Sequence, residues 1–278
     1  MPKLSFLPRL ALVLALLLPV WFLIASLGAK FGAWSKMFGF VTMTARWGLI
    51  MATIVALLAI IALIVSLATK PRRGWLSALI ALAIPLAIFA GFNALRIQAG
   101  SVPFIYDITT NPVDAPVYSE ALLKVRKETE ANALIPFDTP LGQLEKWSGN
   151  EELANKTASQ LIAEGYPNLA TFTVEQSVEE VINAVARAME MRGFDNVTVD
   201  KEAGTIEGTE ELFWFGFQDD VVARIRATET STAVDFRSTS RLGLSDLGVN
   251  AERIADLSKA VQYRLSEEFP AEDPITSD

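Results

Sequence analysis

The stretch VVARIRATETSTAVDFRSTSR, residues 221–241, decides the fold of the C-terminal half of the chain. It contains two runs in which apolar and polar residues alternate, separated by a Thr-Ser pair that favours a turn. In the first run Val221 and Arg224 lie on opposite sides of an extended chain. In the second run Phe236 and Arg237 do the same. The period of two predicts adjacent β-strands, and the charged side predicts a sheet that is covered on one face.

Further strands and helices are predicted around this pair. Four strands follow one another, at residues 194–200, 204–217, 221–228 and 233–241. A capping box of Ser177 and Glu180 starts an amphipathic helix before them, and a helix with an N-cap at about Asn250 follows them. Two shorter helices are predicted upstream, at 119–131 and 151–164. This order predicts an α+β fold, a two-layer sandwich of an antiparallel four-stranded meander and helices.

The N-terminal part contains three apolar stretches, at residues 10–27, 47–68 and 75–95. None contains Lys, Arg, Asp or Glu, and each has about the 20 residues that a helix needs to cross a bilayer. We therefore predict three transmembrane helices in the lipid bilayer. Because they carry no ionisable group, we interpret them as an anchor rather than as a transport path.

Charge divides the chain at the same place. The first 106 residues contain nine basic residues and no acidic one, whereas residues 107–278 contain 15 basic and 32 acidic residues, a net charge of −17. Such an acidic domain repels phosphate backbones, so we expect no nucleic-acid partner. The chain has no Cys and no His, which excludes thiol and imidazole catalysis and zinc sites with these ligands. We expect no cofactor.

The basic residues that flank the apolar stretches favour one orientation. With the N-terminus in the cytoplasm, five basic residues lie inside and four outside, and the dense connector TKPRRG lies inside. The acidic domain then lies outside. A cleaved signal peptide at residues 1–29 remains an alternative, and it also leaves the domain outside.

We expect four regions in all. They are a membrane domain at 1–96, an extended Pro-containing segment at 97–118 on the domain surface, a soluble α+β domain at 119–268 and a disordered tail at 269–278.

Several motifs resemble one known family. They are DITTNP from Asp107, the Tyr166-Pro167 step, ELFWFGFQDDVVARI, and above all VDFRSTSRLGLSDLGVNAERI. Over residues 107–266 the chain resembles the domain-of-unknown-function family 1499 of bacteria and plastids. The resemblance implies that the domain follows hydrophobic N-terminal segments, and it implies no reaction, ligand or catalytic residue.

Two sets of polar residues are candidates for a site. The first is interpreted as a structural lattice of ion pairs across the strands: Asp219, Asp220, Arg224, Arg226, Asp235 and Asp246. The second lies beside the predicted start of the last helix and could form a pocket for a phosphate or carboxylate: Arg237, Ser238, Ser240, Arg241, Asn250 and Arg253. Carboxylates of the first set could hold Ca²⁺, but only one adjacent pair occurs, so we predict no metal site.

The aromatic run at 213–217 has two interpretations. Alternation along a strand assigns Phe213, Phe215 and Phe217 to the core and Trp214 to the other side. There Trp214 is either covered by residues 101–118 or contacts lipid or a partner.

These observations predict a multi-pass protein of the bacterial inner membrane with a periplasmic domain that binds or scaffolds another membrane or envelope protein, or a lipid. A membrane-anchored hydrolase with a Ser or carboxylate site around residues 219–246 is one alternative, and a lipid carrier is another. Because the chain contains no Ser-x-x-Lys and no Gly-x-Ser-x-Gly motif, the sequence favours a protein that is not an enzyme.

Overall fold

A computed structural model describes residues 6–266. The chain forms two compact units. One runs to Gln98 and includes Leu212–Phe217, and the other comprises Ala99–Glu211 and the chain from Gln218 onward. The predicted tail at 269–278 lies outside the described residues.

The first unit contains three apolar helices. They are α1, Leu7–Lys30; α2, Leu49–Ala68, which continues a π-helical segment Phe38–Gly48; and α3, Trp75–Ser101. All three are long and apolar enough to cross a membrane, with mean hydropathies of 2.7, 3.0 and 2.2. The π-helical segment and α2 together form one candidate span, Phe38–Ala68. It starts before the predicted residue 47, because the mostly apolar residues that precede Arg46 are also helical.

Small residues line the contacts between these helices. They let helix backbones approach closely where lipid provides no hydrophobic driving force. The buried positions are Ala11, Ala15, Ala52, Ala59, Ala62, Ala78 and Ala81.

The second unit contains an antiparallel sheet. The predicted meander consists of β3, Asp195–Asp200; β4, Thr205–Glu211; β5, Gln218–Ala227; and β6, Thr232–Ser240. Two further strands, β1 (Asp107–Thr109) and β2 (Phe172–Val174), both pair with β6. The sheet therefore has six strands rather than four. The two additional strands have three residues each, which is too short for a periodic pattern.

Four helices belong to this unit: α4, Glu120–Glu128; α5, Ala158–Gly165; α6, Val178–Met191; and α7, Val249–Leu265. Two 3-10 turns lie between α4 and α5, at Leu141–Gln143 and Glu145–Trp147. The predicted capping box is present, since Ser177 Oγ accepts from the N–H of Glu180 while the Glu180 side chain accepts from the N–H of Ser177. The apolar faces of α6 and α7 form the core with one face of the sheet.

The other face of the sheet is covered as well over the central strands β5 and β6, whereas β3 is largely exposed. All nine residues of β6 are buried, including Asp235 and Arg237. The cover includes buried Tyr118 and Arg126. The prediction of a sheet covered on one face is therefore wrong, because a polar face can be buried when its charges pair.

The segment at 97–118 also differs from its prediction. Helix α3 continues to Ser101, and residues 105–110 are buried, with β1 among them. Only part of this segment lies on the surface.

The aromatic run does not continue a strand. Strand β4 ends at Glu211, and Phe215 and Gly216 both have positive φ, of 63° and 67°. Phe213 is 63% exposed, so the prediction that it belongs to the core is wrong. Two consecutive left-handed residues turn the chain, and the alternation of a strand therefore stops there.

Candidate functional site

The polar residues of the sheet lie on both of its faces. Alternation along β5 and β6 directs Asp219, Ser238 and Ser240 toward α6 and α7, and their neighbours away from them. We call the set facing the helices the α7 cluster: Asp219, Ser238, Ser240, Asn250 and Arg253. We call the set on the opposite face the buried ion network: Asp107, Arg126, Asp220, Arg237 and Arg241.

The first pair of the buried ion network joins β1 to β6. Arg237 donates from Nε to Asp107 Oδ1 at 3.0 Å and from Nη2 to Oδ2 at 2.7 Å. The hydroxyl of Thr239 also donates to Asp107 Oδ1, at 2.7 Å. The Arg237 guanidinium lies 4.9 Å from the ring of Phe137 and 5.7 Å from that of Tyr118. Burial disfavours the charged form of Arg237, but the charge and hydrogen bonds of Asp107 outweigh this and raise its pKa.

The second part of the network places two guanidiniums on one carboxylate. Arg241 donates from Nη2 to Asp220 Oδ1 at 2.7 Å and from Nε to Oδ2 at 2.9 Å. Arg126, from α4, donates to Asp220 Oδ2 at 2.5 Å and to the carbonyl of Asn132 at 2.8 Å. The hydroxyl of Thr209 donates to Asp220 Oδ1 at 2.8 Å. Asp220 is fully buried, so its carboxylate neutralises guanidinium charge in a region that water does not reach.

A third group of ion pairs lies nearer the surface. Buried Asp235 accepts from Arg224 at 2.9 Å and from Arg226 at 2.8 Å. Both guanidiniums also reach Asp114, whose side chain is 58% exposed. The hydrogen bond from Arg224 lowers the pKa of Asp114 below its ordinary value. This part of the lattice is open to solvent at one end.

The α7 cluster centres on Arg253. Its guanidinium donates to Asp219 Oδ2 at 2.6 Å, to Ser238 Oγ at 3.0 Å and to the carboxylate of Glu210. Asn250 donates to Ser240 Oγ at 3.0 Å and accepts from Ser238 Oγ at 2.6 Å. The charge of Asp219 and Glu210 outweighs burial and raises the pKa of Arg253.

The start of α7 differs from the prediction. The helix begins at Val249, after Gly248 with a φ of 88°, so Asn250 is inside the helix and is not its N-cap. Asp246 accepts from the N–H of Gly248 at 2.9 Å and from that of Asn250 at 3.0 Å. Burial raises the pKa of Asp246 to about 6. Within the described residues, the buried hydroxyl of Tyr166 has no hydrogen-bond partner, and burial raises its pKa.

The six residues of the predicted anion pocket do not form one pocket. Arg237 and Arg241 belong to the buried ion network, whereas the other four belong to the α7 cluster on the opposite face: Ser238, Ser240, Asn250 and Arg253. Each of the three guanidiniums already contacts a carboxylate of the chain. An anion would have to displace that carboxylate, and anion binding stays a prediction.

The lattice residues are also divided. Asp220, Arg224, Arg226 and Asp235 share the face opposite the helices, Asp219 faces α7, and Asp246 caps that helix. Asp219 and Asp220 thus point to opposite sides of the sheet and do not converge on one cation.

Sequence reasoning missed two members of the buried ion network, Asp107 and Arg126, and also Tyr118, which helps to cover it. Asp107 was visible as the first acidic residue and as part of the DITTNP motif. Arg126 has no local signal that distinguishes it from Lys124 and Lys127 on the same short helix. Tyr118, whose hydroxyl donates to the carbonyl of Asp220 at 2.8 Å, has none either.

Three apolar helices followed by an α+β domain with paired internal charges define a membrane protein whose role is not given by its fold. The chain belongs to the protein family of unknown function DUF1499, whose model matches residues 107–261. The match starts at the first carboxylate of the buried ion network and includes every residue of that network and of the α7 cluster. A comparison with curated proteins finds no match.

Proposed function

We propose that the protein is an integral protein of the bacterial inner membrane whose acidic domain lies in the periplasm and acts as a binding or scaffolding module. Its partner is another membrane or envelope protein, or a lipid. The three apolar helices hold the domain at the membrane, and the domain presents a fixed surface.

The pairing of the internal charges carries this proposal. Asp107, Asp220 and Asp219 each accept from a buried guanidinium of the same chain. Catalysis by such groups would require a partner to leave, and leaving a buried charge unpaired costs about 3 to 5 kcal/mol. These residues therefore favour a role in maintaining one conformation, and the surface remains for recognition.

The orientation is tested by two fusions after Asp278. We expect an alkaline phosphatase fusion to be active and a green fluorescent protein fusion to be dark, because the first folds in the periplasm and the second does not. The same fusions after Arg73, in the basic connector between the second and third helices, serve as the matched control and should give the reverse pattern. An inactive phosphatase with a bright fluorescent fusion after Asp278 would contradict the periplasmic location.

The binding role is tested by affinity capture of the full-length protein after crosslinking in membranes, with mass spectrometry of bound proteins and lipids. A chain truncated after Ser101, which keeps the three apolar helices, is the control. We expect specific partners with the full-length chain that the truncated chain does not retain. Identical sets from the two chains would contradict a binding role for the domain.

One observation favours the hydrolase alternative. Asp246 is a buried carboxylate with a pKa of about 6, which suits a general acid or base near neutral pH. However, both of its oxygens accept N–H groups at the start of α7, as in a structural helix cap.

The carrier alternative has a pocket of about 320 Å³ in its favour. Both apolar and polar side chains line it, among them Phe172, Val174, Glu175, Gln176, Gln262 and Leu265. The volume is near the lower limit of ligand pockets, about 300 Å³. A lipid chain requires a predominantly apolar lining, which this pocket does not have. The pocket is therefore weaker support for a lipid carrier than the paired internal charges are for a binding or scaffolding module.

A further inference from the structure

The turn Leu212–Phe217 is the most aromatic segment of the chain, and we call it the aromatic turn. Its ends meet, since the N–H of Leu212 donates to the carbonyl of Phe217 at 2.8 Å. Phe213 is 63% exposed and Trp214 53% exposed. Two large apolar side chains thus lie at its tip, where water would otherwise surround them.

The aromatic turn belongs to the same compact unit as the three apolar helices. The N–H of Phe215 donates to Ser26 Oγ at 3.1 Å. The ring of Phe40 packs edge-on against the rings of Phe215 and Phe217, at 5.3 Å and 5.8 Å between centroids. A positive φ is unusual for a residue as bulky as Phe215, and these contacts stabilise it.

The contacts with α1 define the depth of the aromatic turn in the membrane. Ser26 lies in the last turns of this helix, and Lys30 is its final residue. The ammonium of Lys30 lies 5.0 Å from the centre of the Phe213 ring. Lysines at the ends of apolar spans lie at the level of the lipid headgroups. Ser26 is four residues from Lys30, which corresponds to only about 6 Å along a helix. The aromatic turn is therefore at the depth of the membrane interface, which the amphipathic ring of Trp favours.

We propose that Phe213 and Trp214 insert into the headgroup layer of the bilayer, so that the aromatic turn is a fourth membrane contact beside the three helices. Its occupant is phospholipid rather than a protein. The proposal goes beyond the proposed function because it holds on whichever side of the membrane the turn lies.

The absence of Cys from the chain allows a direct test. The full-length variants Trp214→Cys and Phe213→Cys carry a nitroxide spin label and are placed in phosphatidylcholine nanodiscs, in which both membrane sides are accessible. Electron paramagnetic resonance then measures collisions with oxygen, which concentrates in lipid, and with a water-soluble nickel complex. Glu229→Cys, at the exposed turn between β5 and β6, is the matched control.

We expect the labels at 213 and 214 to collide more with oxygen than with nickel, and the label at 229 to show the reverse ratio. A label at 214 as accessible to nickel as the label at 229 would overturn the proposal. Low collision rates with both reagents would also overturn it, because they indicate cover by protein or by a second copy of the chain. Two label positions guard against a variant that does not fold, and neither readout depends on the topology fusions.

Discussion

The two faces of the sheet are filled by different means. On the face toward α6 and α7, most buried side chains are apolar, such as Met189 and Phe236, and the ion pair of Arg253 with Asp219 lies within the polar α7 cluster. On the other face, Asp107 and Asp220 are surrounded by arginines and hydroxyl groups. Apolar packing is non-directional and tolerates changes of shape, whereas a buried ion network requires every partner. The apolar part of one face should therefore accept conservative substitutions, whereas the buried ion network on the other face should not.

Removal of the Asp220 carboxylate, which two arginines share, should have the largest effect on stability. Asp220→Asn keeps the shape of the side chain but leaves the guanidiniums of Arg126 and Arg241 without their counter-charge. We expect the free energy of unfolding to fall by about 3 to 5 kcal/mol. Urea unfolding of the full-length protein in detergent, followed by near-ultraviolet circular dichroism, measures it.

Asp114→Asn is the matched control for this variant. It also removes a carboxylate that contacts two arginines, but one that is exposed, so solvent already screens its ion pairs. We expect little change in stability. Equal losses in the two variants would show that burial does not distinguish the two groups of ion pairs.

Asp246, which precedes the start of α7, should make the free energy of unfolding depend on pH. We expect this effect to be smaller than that of removing Asp220. Because the pKa of Asp246 is raised from 3.8 to about 6, between these values the folded protein holds a proton that the unfolded chain releases. This contribution to stability is complete below about pH 4 and decreases as the pH rises toward 6, by about 3 kcal/mol. Asp246→Asn should remove the decrease.

Melting temperatures of the wild type and of Asp246→Asn, measured from pH 4 to pH 7, give the comparison. The difference between the two proteins isolates Asp246 from the other carboxylates. A constant difference across this range would contradict a raised pKa for this group.

The smallest effect is expected on the apolar face. Met189→Leu replaces a fully buried side chain by one of similar volume, so we expect a loss below about 1.5 kcal/mol in the same urea experiment. A loss as large as that of Asp220→Asn would remove the contrast between the faces.

The parts of the fold that depend on local signals could be predicted. The capping box at Ser177 starts α6, turn-forming pairs separated the four strands of the meander, and period-two alternation indicated β5 and β6. The three-residue strands β1 and β2 are defined by their pairing with β6, which is distant in the sequence. No local pattern therefore predicts them.

The candidate site was predicted only in part, for a similar reason. The charged residues of β5 and β6 were recognised, but their cover comes from Tyr118 and Arg126, which lie 102 and 94 positions before Asp220. Alternation also implied that Arg237 and Ser238 lie on opposite faces, and this signal could have divided the predicted pocket. The Asp-x-Gly spacing of Asp246 and Gly248 could likewise have indicated the true helix start.

The partners in the ion network are far apart along the polypeptide, and this has a consequence for biosynthesis. Asp107 and Arg237 are separated by 130 positions, and Arg241 must also be made before Asp220 is fully paired. Growing chains shorter than this therefore expose unneutralised charges, which water solvates better than a half-formed interior does. Assembly of this face is consequently a late event, completed only when the chain as far as Arg241 has left the ribosome and, where it is exported, has crossed the membrane.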